Sequence, residues 1–159
     1  MKKYHFDIDE ITQRDYLGNL IGEDKGDWTI VSYDNMDDFG KNVLDQRFDS
    51  IDYKHLLTGF KTNDTKLVGK KIIIYPNPMS NTVIGHTCPT CNTSYHSVAY
   101  LMSDKFGKKI GERAFFNLYG NSTTELPAAL MKRDFYMHFI IRTSDSSIYY
   151  ARGKVIGIE

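Results

Sequence analysis

At 159 residues, 41% of them hydrophobic, the chain is long enough to bury one good core and cramped for two. Its 20 lysines and arginines balance 20 aspartates and glutamates, which excludes the global positive field that gathers nucleic acid or anionic lipid. The 11 tyrosines and 9 phenylalanines, with the β-branched residues, suit pleated and half-buried surfaces, so the composition leans towards β.

The start, Met1-Lys-Lys-Tyr-His-Phe-Asp7, turns acidic after two lysines and is neither a signal peptide nor a membrane anchor. No stretch is long and apolar enough to span a bilayer. From Tyr4 to Ile11 apolar and polar residues alternate, which predicts a short edge strand. Leu17 to Asp27 is punctuated by Gly18, Gly22 and Gly26 and reads as a connection. Asp27-Trp-Thr-Ile-Val-Ser-Tyr33 is the best strand of the first half, with Trp28 as a core anchor. Met36, Phe39, Val43 and Leu44 recur at near-helical intervals between Asn35 and Arg47, interrupted by Gly40, and predict a turn or two of helix. Ile51 to Leu57 fits helix or strand, Gly59 to Lys66 is a polar loop, and the one seam in an otherwise single domain over 1–159 falls at Gly59 to Gly69.

The second half is a relay of strands and turns. Ile72 to Tyr75 is an apolar run stopped by Pro76 and Pro78, which remove backbone donors and force an extended bend. A strand resumes over Thr82 to Thr87. Val98, Tyr100 and Met102 share one face of the next, with its turn at Ser103 to Gly107, and Ala114, Phe116 and Leu118 repeat the pattern. Phe135, Met137, Phe139 and Ile141 alternate with Tyr136, His138, Ile140 and Arg142, and Ile148 to Ile158, broken by Gly153, is the partner strand of a terminal hairpin.

His86-Thr-Cys-Pro-Thr-Cys-Asn-Thr-Ser-Tyr-His96 gathers two thiols and two imidazoles within eleven positions. Cys88 and Cys91 could grip one zinc ion with His86 and His96 completing a tetrahedron, or could form a disulfide or remain free thiols. The same Cys-Pro-Thr-Cys would serve thiol-disulfide exchange if Tyr95 to Phe106 were helical, against which its alternation speaks. The carboxylate groups Asp7, Asp9, Glu10 and Asp34, Asp37, Asp38 lack the features of a calcium loop and read as solvated turn residues. His138 reads as a packing residue, not a base. Tyr136, Tyr149 and Tyr150 suggest an exposed aromatic strip for stacking on sugar or peptide, with cross-strand packing as the alternative.

Ile74-Tyr-Pro-Asn-Pro78 resembles the opening of C-terminal sandwich domains in Bacteroidetes secreted proteins, which act as sorting signals for type IX secretion. Val98 to Ile110, with Gly107 at its turn, and the segments Phe135 to Arg142 and Tyr149 to Val155 resemble later strands of that family. Asp134 stands where the family usually has a glycine, and the CxxC insertion is not part of its pattern. The resemblance implies an antiparallel immunoglobulin-like β-sandwich, here with an irregular N-terminal portion. It also implies a periplasmic, outer-membrane-associated or extracellular address with any leader removed, as in lipoprotein-borne modules. The function expected is non-enzymatic binding or attachment to protein or glycan, with no cofactor unless zinc. The alternative is a zinc or thiol-disulfide redox protein built on Cys88 and Cys91.

Overall fold

The computed structural model describes residues 6–46, 59, 65–79, 83–87, 96–118, 122–126 and 133–157. The chain is mainly β, and its strand pairings are antiparallel. Strands β3 (Val31–Ser32), β6 (His96–Ser103), β7 (Lys109–Leu118), β9 (Phe135–Thr143) and β10 (Ile148–Val155) form a five-stranded sheet in the order β3-β10-β9-β6-β7. A second sheet runs β4 (Ile73–Tyr75), β5 (Val83–Thr87), β8 (Ser122–Glu125). β1 (Gln13–Arg14) and β2 (Leu20–Gly22) make a separate ribbon, and α1 (Asp38–Leu44) is a short helix.

The terminal hairpin forms as the alternation requires, in register from Arg142 opposite Ile148 to Phe135 opposite Val155. Its turn closes through Thr143 N–H donating to the Ser147 carbonyl at 2.9 Å, with Ser146 at φ 66°. Alternation then sorts side chains to two faces. Phe135, Met137, Phe139, Ile141, Tyr149, Ala151, Val155, Val98, Tyr100 and Met102 point inward and pack with Ile74 and Ile84 of the smaller sheet and with Trp28, Ile30 and Leu67. On the opposite face Ala99, Leu101, Ile140, Ile148 and Tyr150 pack under Met36, Val43 and Leu44 of the α1 region. Each large side chain so buried contributes about 1.5–3 kcal/mol.

Several local expectations are corrected. The strand over Asp27 to Tyr33 shrinks to Val31–Ser32 because Trp28 takes φ 64°, a left-handed conformation unfavourable to a bulky side chain. Compensation is visible: Trp28 N–H donates to the Arg152 carbonyl at 2.7 Å, and its own carbonyl accepts from Ile72 N–H at 3.0 Å. The indole sits over Gly153, where an added Cβ would lie 2.2 Å from the ring. Gly153 therefore does not break the strand; β10 runs through it, and the missing side chain is the seat of the indole. Ile8–Glu10 is a 3₁₀ turn in place of an edge strand, since Glu10 N–H turns back to the Asp7 carbonyl at 2.9 Å. The expected connection over Leu17 to Asp27 contains β2, because the Asp15 carboxylate accepts from Leu17 and Asn19 N–H, both at 2.9 Å, and folds the ribbon. Ile51 to Leu57 lies outside the described residues. At the expected seam, Leu67 is in the core, and Ile30 exchanges hydrogen bonds with Gly69 N–H and the Lys70 carbonyl.

The Tyr-Pro-Asn-Pro segment has a structural task. Asn77 is fully buried; its amide donates to the Thr12 carbonyl at 3.2 Å and the Lys154 carbonyl at 2.8 Å, and its Oδ1 accepts from Ile156 N–H at 3.1 Å. Its backbone bridges Arg14. Asn77 thus ties the segment after β4 to the end of β10 through its side chain and to β1 through its backbone. Asp134 ties the two ends of the described chain by accepting from Phe6 N–H at 2.6 Å and Gly157 N–H at 3.3 Å.

Candidate functional site

On the outer face of the five-stranded sheet the alternation of β9 and β10 places His138 and Tyr150 side by side. His138 is fully buried, with Nε2 2.7 Å from Ser103 Oγ and Nδ1 2.7 Å from the Tyr150 hydroxyl. Ser103 uses its one proton to donate to the Asp104 carbonyl at 3.1 Å, so its Oγ accepts from Nε2–H and Nδ1 accepts from Tyr150. Burial, reinforced by the Arg152 charge, lowers the His138 pKa to about 3. Burial also pushes the Tyr150 phenol well above its ordinary range. Both groups are neutral at neutral pH, which is the chemistry of a fixed support and not of a poised base.

Beyond Tyr150 the network reaches the surface. Arg152, two residues on along the same face, makes a two-pronged pair with Asp37: Nη1 to Oδ1 at 2.9 Å and Nη2 to Oδ2 at 2.6 Å. Asp37 is also the N-cap of α1, accepting from Gly40 N–H at 2.9 Å. The Arg152 hydrogen bond is the main cause that holds its carboxyl below the usual range. Arg152 lies 4.9 Å from the Phe39 ring centre and 6.0 Å from that of Tyr136, a cation–π arrangement that fixes the guanidinium plane. Gly40 sits inside the helix because a Cβ there would come within 2.8 Å of Tyr150; only glycine lets α1 press this close. Between α1, β3 and β10 these groups border a cleft of about 180 Å³, whose wall includes Thr29, Asn35, Asp37, Tyr150 and Arg152.

No protein-family model, curated protein or solved structure matches the chain.

The tyrosine strip is corrected. Tyr149 and Tyr150, adjacent on one strand, face opposite ways: the first is 1% exposed in the core and the second 4% exposed beneath α1. Tyr136 is half-buried, with its ring 5.2 Å from Phe39 and 5.1 Å from Phe6. Packing claims all three, and a two-residue period cannot put the neighbours Tyr149 and Tyr150 on one face.

His86 and His96 are brought together, one on each sheet, both buried, with ring centres 6.5 Å apart. Burial, with the neighbouring His96 second, lowers the His86 pKa to about 4 and keeps its imidazole neutral, the form that ligates metals. Cys88 and Cys91 lie outside the described residues, and among the described residues no group of three metal-ligating side chains converges. His96–Ser103 is a strand, so the helix that a thioredoxin-like arrangement needs after the second cysteine is not there. Among the described residues no helix is long and apolar enough to cross a membrane.

Sequence reasoning passed over two features. Asp37 and Arg152 are 115 positions apart, and nothing local marks the pair, although Asp37 ahead of a helical pattern is a legible N-cap. The β1–β2 ribbon leaves Tyr16 73%, Leu17 68% and Ile21 66% exposed on a backbone braced by Asp15 and by the Arg14–Asn77 bridge. An unusual density of apolar residues within a glycine-punctuated segment was the available signal.

Proposed function

We propose that this protein is a non-enzymatic binding or attachment module of the cell envelope or secreted fraction, recognising protein or glycan. The observation that carries it is the β1–β2 ribbon, which holds large apolar side chains in water on a hydrogen-bonded backbone, an arrangement suited to a protein partner. Charges of both signs surround these residues, Glu23 paired with Lys71 at 2.6 Å and Asp24 with Lys154 at 3.1 Å, so the apolar contact and not a charge field carries the recognition. The envelope address is supported by the Tyr-Pro-Asn-Pro resemblance.

The test sets the purified chain and a Leu17→Ser/Ile21→Ser variant against protein and glycan arrays. Both exposed residues can change without touching the core. At least about tenfold weaker protein binding at unchanged thermal stability is expected, and undiminished binding by the variant overturns the ribbon as the contact. Fractionation of the producing cell checks the address; recovery in the cytosol alone contradicts it.

A second reading has its own observation. The two buried histidines meet at the two ends of the segment that carries Cys88 and Cys91, which favours a zinc ion stapling the two sheets where β5 ends and β6 begins. Metal analysis with thiol titration decides: one zinc per chain, lost in Cys88→Ser, supports it, and a metal-free chain with a Cys88–Cys91 disulfide refutes it.

A further inference from the structure

We infer that the cleft above Tyr150 is a binding site for one neutral polyhydroxylated ring, a free hexose or the terminal sugar of a glycan. This deepens the glycan half of the binding-module reading and rests on that reading, but it uses residues distinct from the ribbon.

Charge is the first argument. The Arg152 guanidinium and the Asp37 carboxylate already satisfy one another through two hydrogen bonds of 2.9 and 2.6 Å. An anion would have to displace Asp37, and a cation would have to displace Arg152. A neutral ligand need displace neither. Guanidinium carries five N–H donors and carboxylate about four lone-pair sites, so the pair retains capacity for both kinds of partner after meeting each other. Asn35, exposed on the cleft wall, adds an amide donor and acceptor, and Thr29, whose hydroxyl donates to the Lys25 carbonyl at 3.0 Å, keeps acceptor capacity. Donors beside acceptors at fixed spacing are what vicinal hydroxyls require, because each hydroxyl is both.

Rigidity is the second. Asp37 is fixed by Gly40 N–H, Arg152 by the Phe39 and Tyr136 rings, and the Tyr150 hydroxyl by the buried His138–Ser103 relay. Pre-set polar groups spare the ligand the cost of ordering them.

Size is the third. A volume of about 180 Å³ falls below the roughly 300 Å³ at which sites for drug-sized ligands begin, and it suits a single ring. A ligand of a dozen heavy atoms on so open a site binds with a Kd on the order of 1 mM.

The experiment is a ¹⁵N-NMR titration of the full chain with glucose, galactose, mannose and N-acetylglucosamine, with acetate and guanidinium as charged controls. At least one sugar is expected to give saturable shifts at the Gly26, Thr29, Asn35 and Asp37 amides. Asn35→Ala should weaken that sugar at least about fivefold. The fold should survive, since Asn35 is exposed. Arg152→Lys, which keeps charge but loses the fork, should weaken it too. The Leu17→Ser/Ile21→Ser variant should bind the sugar like the parent chain. No saturable shift with any sugar up to about 50 mM, shifts with acetate or guanidinium alone, or an unchanged Asn35→Ala titration overturns the assignment. A null result here with intact ribbon-dependent protein binding rejects the sugar site and leaves the binding-module reading standing.

Discussion

The two faces of the five-stranded sheet are built from the same strands one residue out of phase, and they solve different problems. The inner face, with Tyr100, Phe139, Tyr149 and the indole of Trp28, is an apolar interior closed by the smaller sheet. The outer face interleaves Leu101 and Ile140 with Ser103, His138, Tyr150 and Arg152, and ends in an open cleft. Tyr149 belongs to the first and Tyr150 to the second. A tyrosine whose ring fills a core and a tyrosine whose hydroxyl anchors a polar relay differ by one step along the chain.

The comparison breaks most sharply at Trp28. Trp28→Ala removes the largest buried side chain of the inner face and uncovers Gly153, so unfolding in urea should show a loss of about 3–5 kcal/mol. Acid should act instead on the buried histidines, His138 on the outer face and His86 against Phe139 on the inner one. His138 and His86 are held neutral with pKa values of about 3 and 4, below the ordinary 6.5. Their contribution is fully present above about pH 6.5 and is lost as pH falls towards those values, because only the unfolded chain binds the protons in that window. Each should cost about 1.4 kcal/mol per pH unit there, checked by denaturation midpoints between pH 7 and 4.5. His138→Gln should flatten this slope by one imidazole's share.

Tyr150→Phe keeps the ring under α1 and removes the hydroxyl, leaving His138 Nδ1 buried without its donor. A loss of about 1–3 kcal/mol is expected from calorimetry, with the core untouched. A further effect runs against the histidines. Asp27 is buried beside Lys154, and desolvation raises its pKa from 3.8 to about 6 in spite of that lysine. Its favourable contribution is complete below about pH 4 and disappears as pH rises through 6. Asp27→Asn should therefore gain on the parent chain over that interval and hold a constant difference above it, seen in paired melts.

Much of the sheet was legible because alternation is a local signal: residues 135–142 and 98–102 announce their faces without any knowledge of partners. The helix at Asp38–Leu44 was legible for the same reason. Trp28 and Gly153 were not, since the indole seated on a glycine 125 positions away turns a strand residue left-handed and makes a nominal strand breaker necessary. The site was less legible still. Asp37–Arg152 and His138–Tyr150–Ser103 join separate elements, and no spacing in the chain encodes such long-range pairings. The histidines of the CxxC segment are the intermediate case, close in sequence and then also brought together across the two sheets.

The central claim is that the outer face is a neutral, rigid polar scaffold, and the imidazole of His138 reports on it directly. A ¹⁵N-NMR titration should find Nε2 protonated, Nδ1 accepting, and no change of state from pH 8 down to about 4.5, given a pKa of about 3. Titration of His138 with a midpoint near the ordinary value of 6.5 would contradict the account.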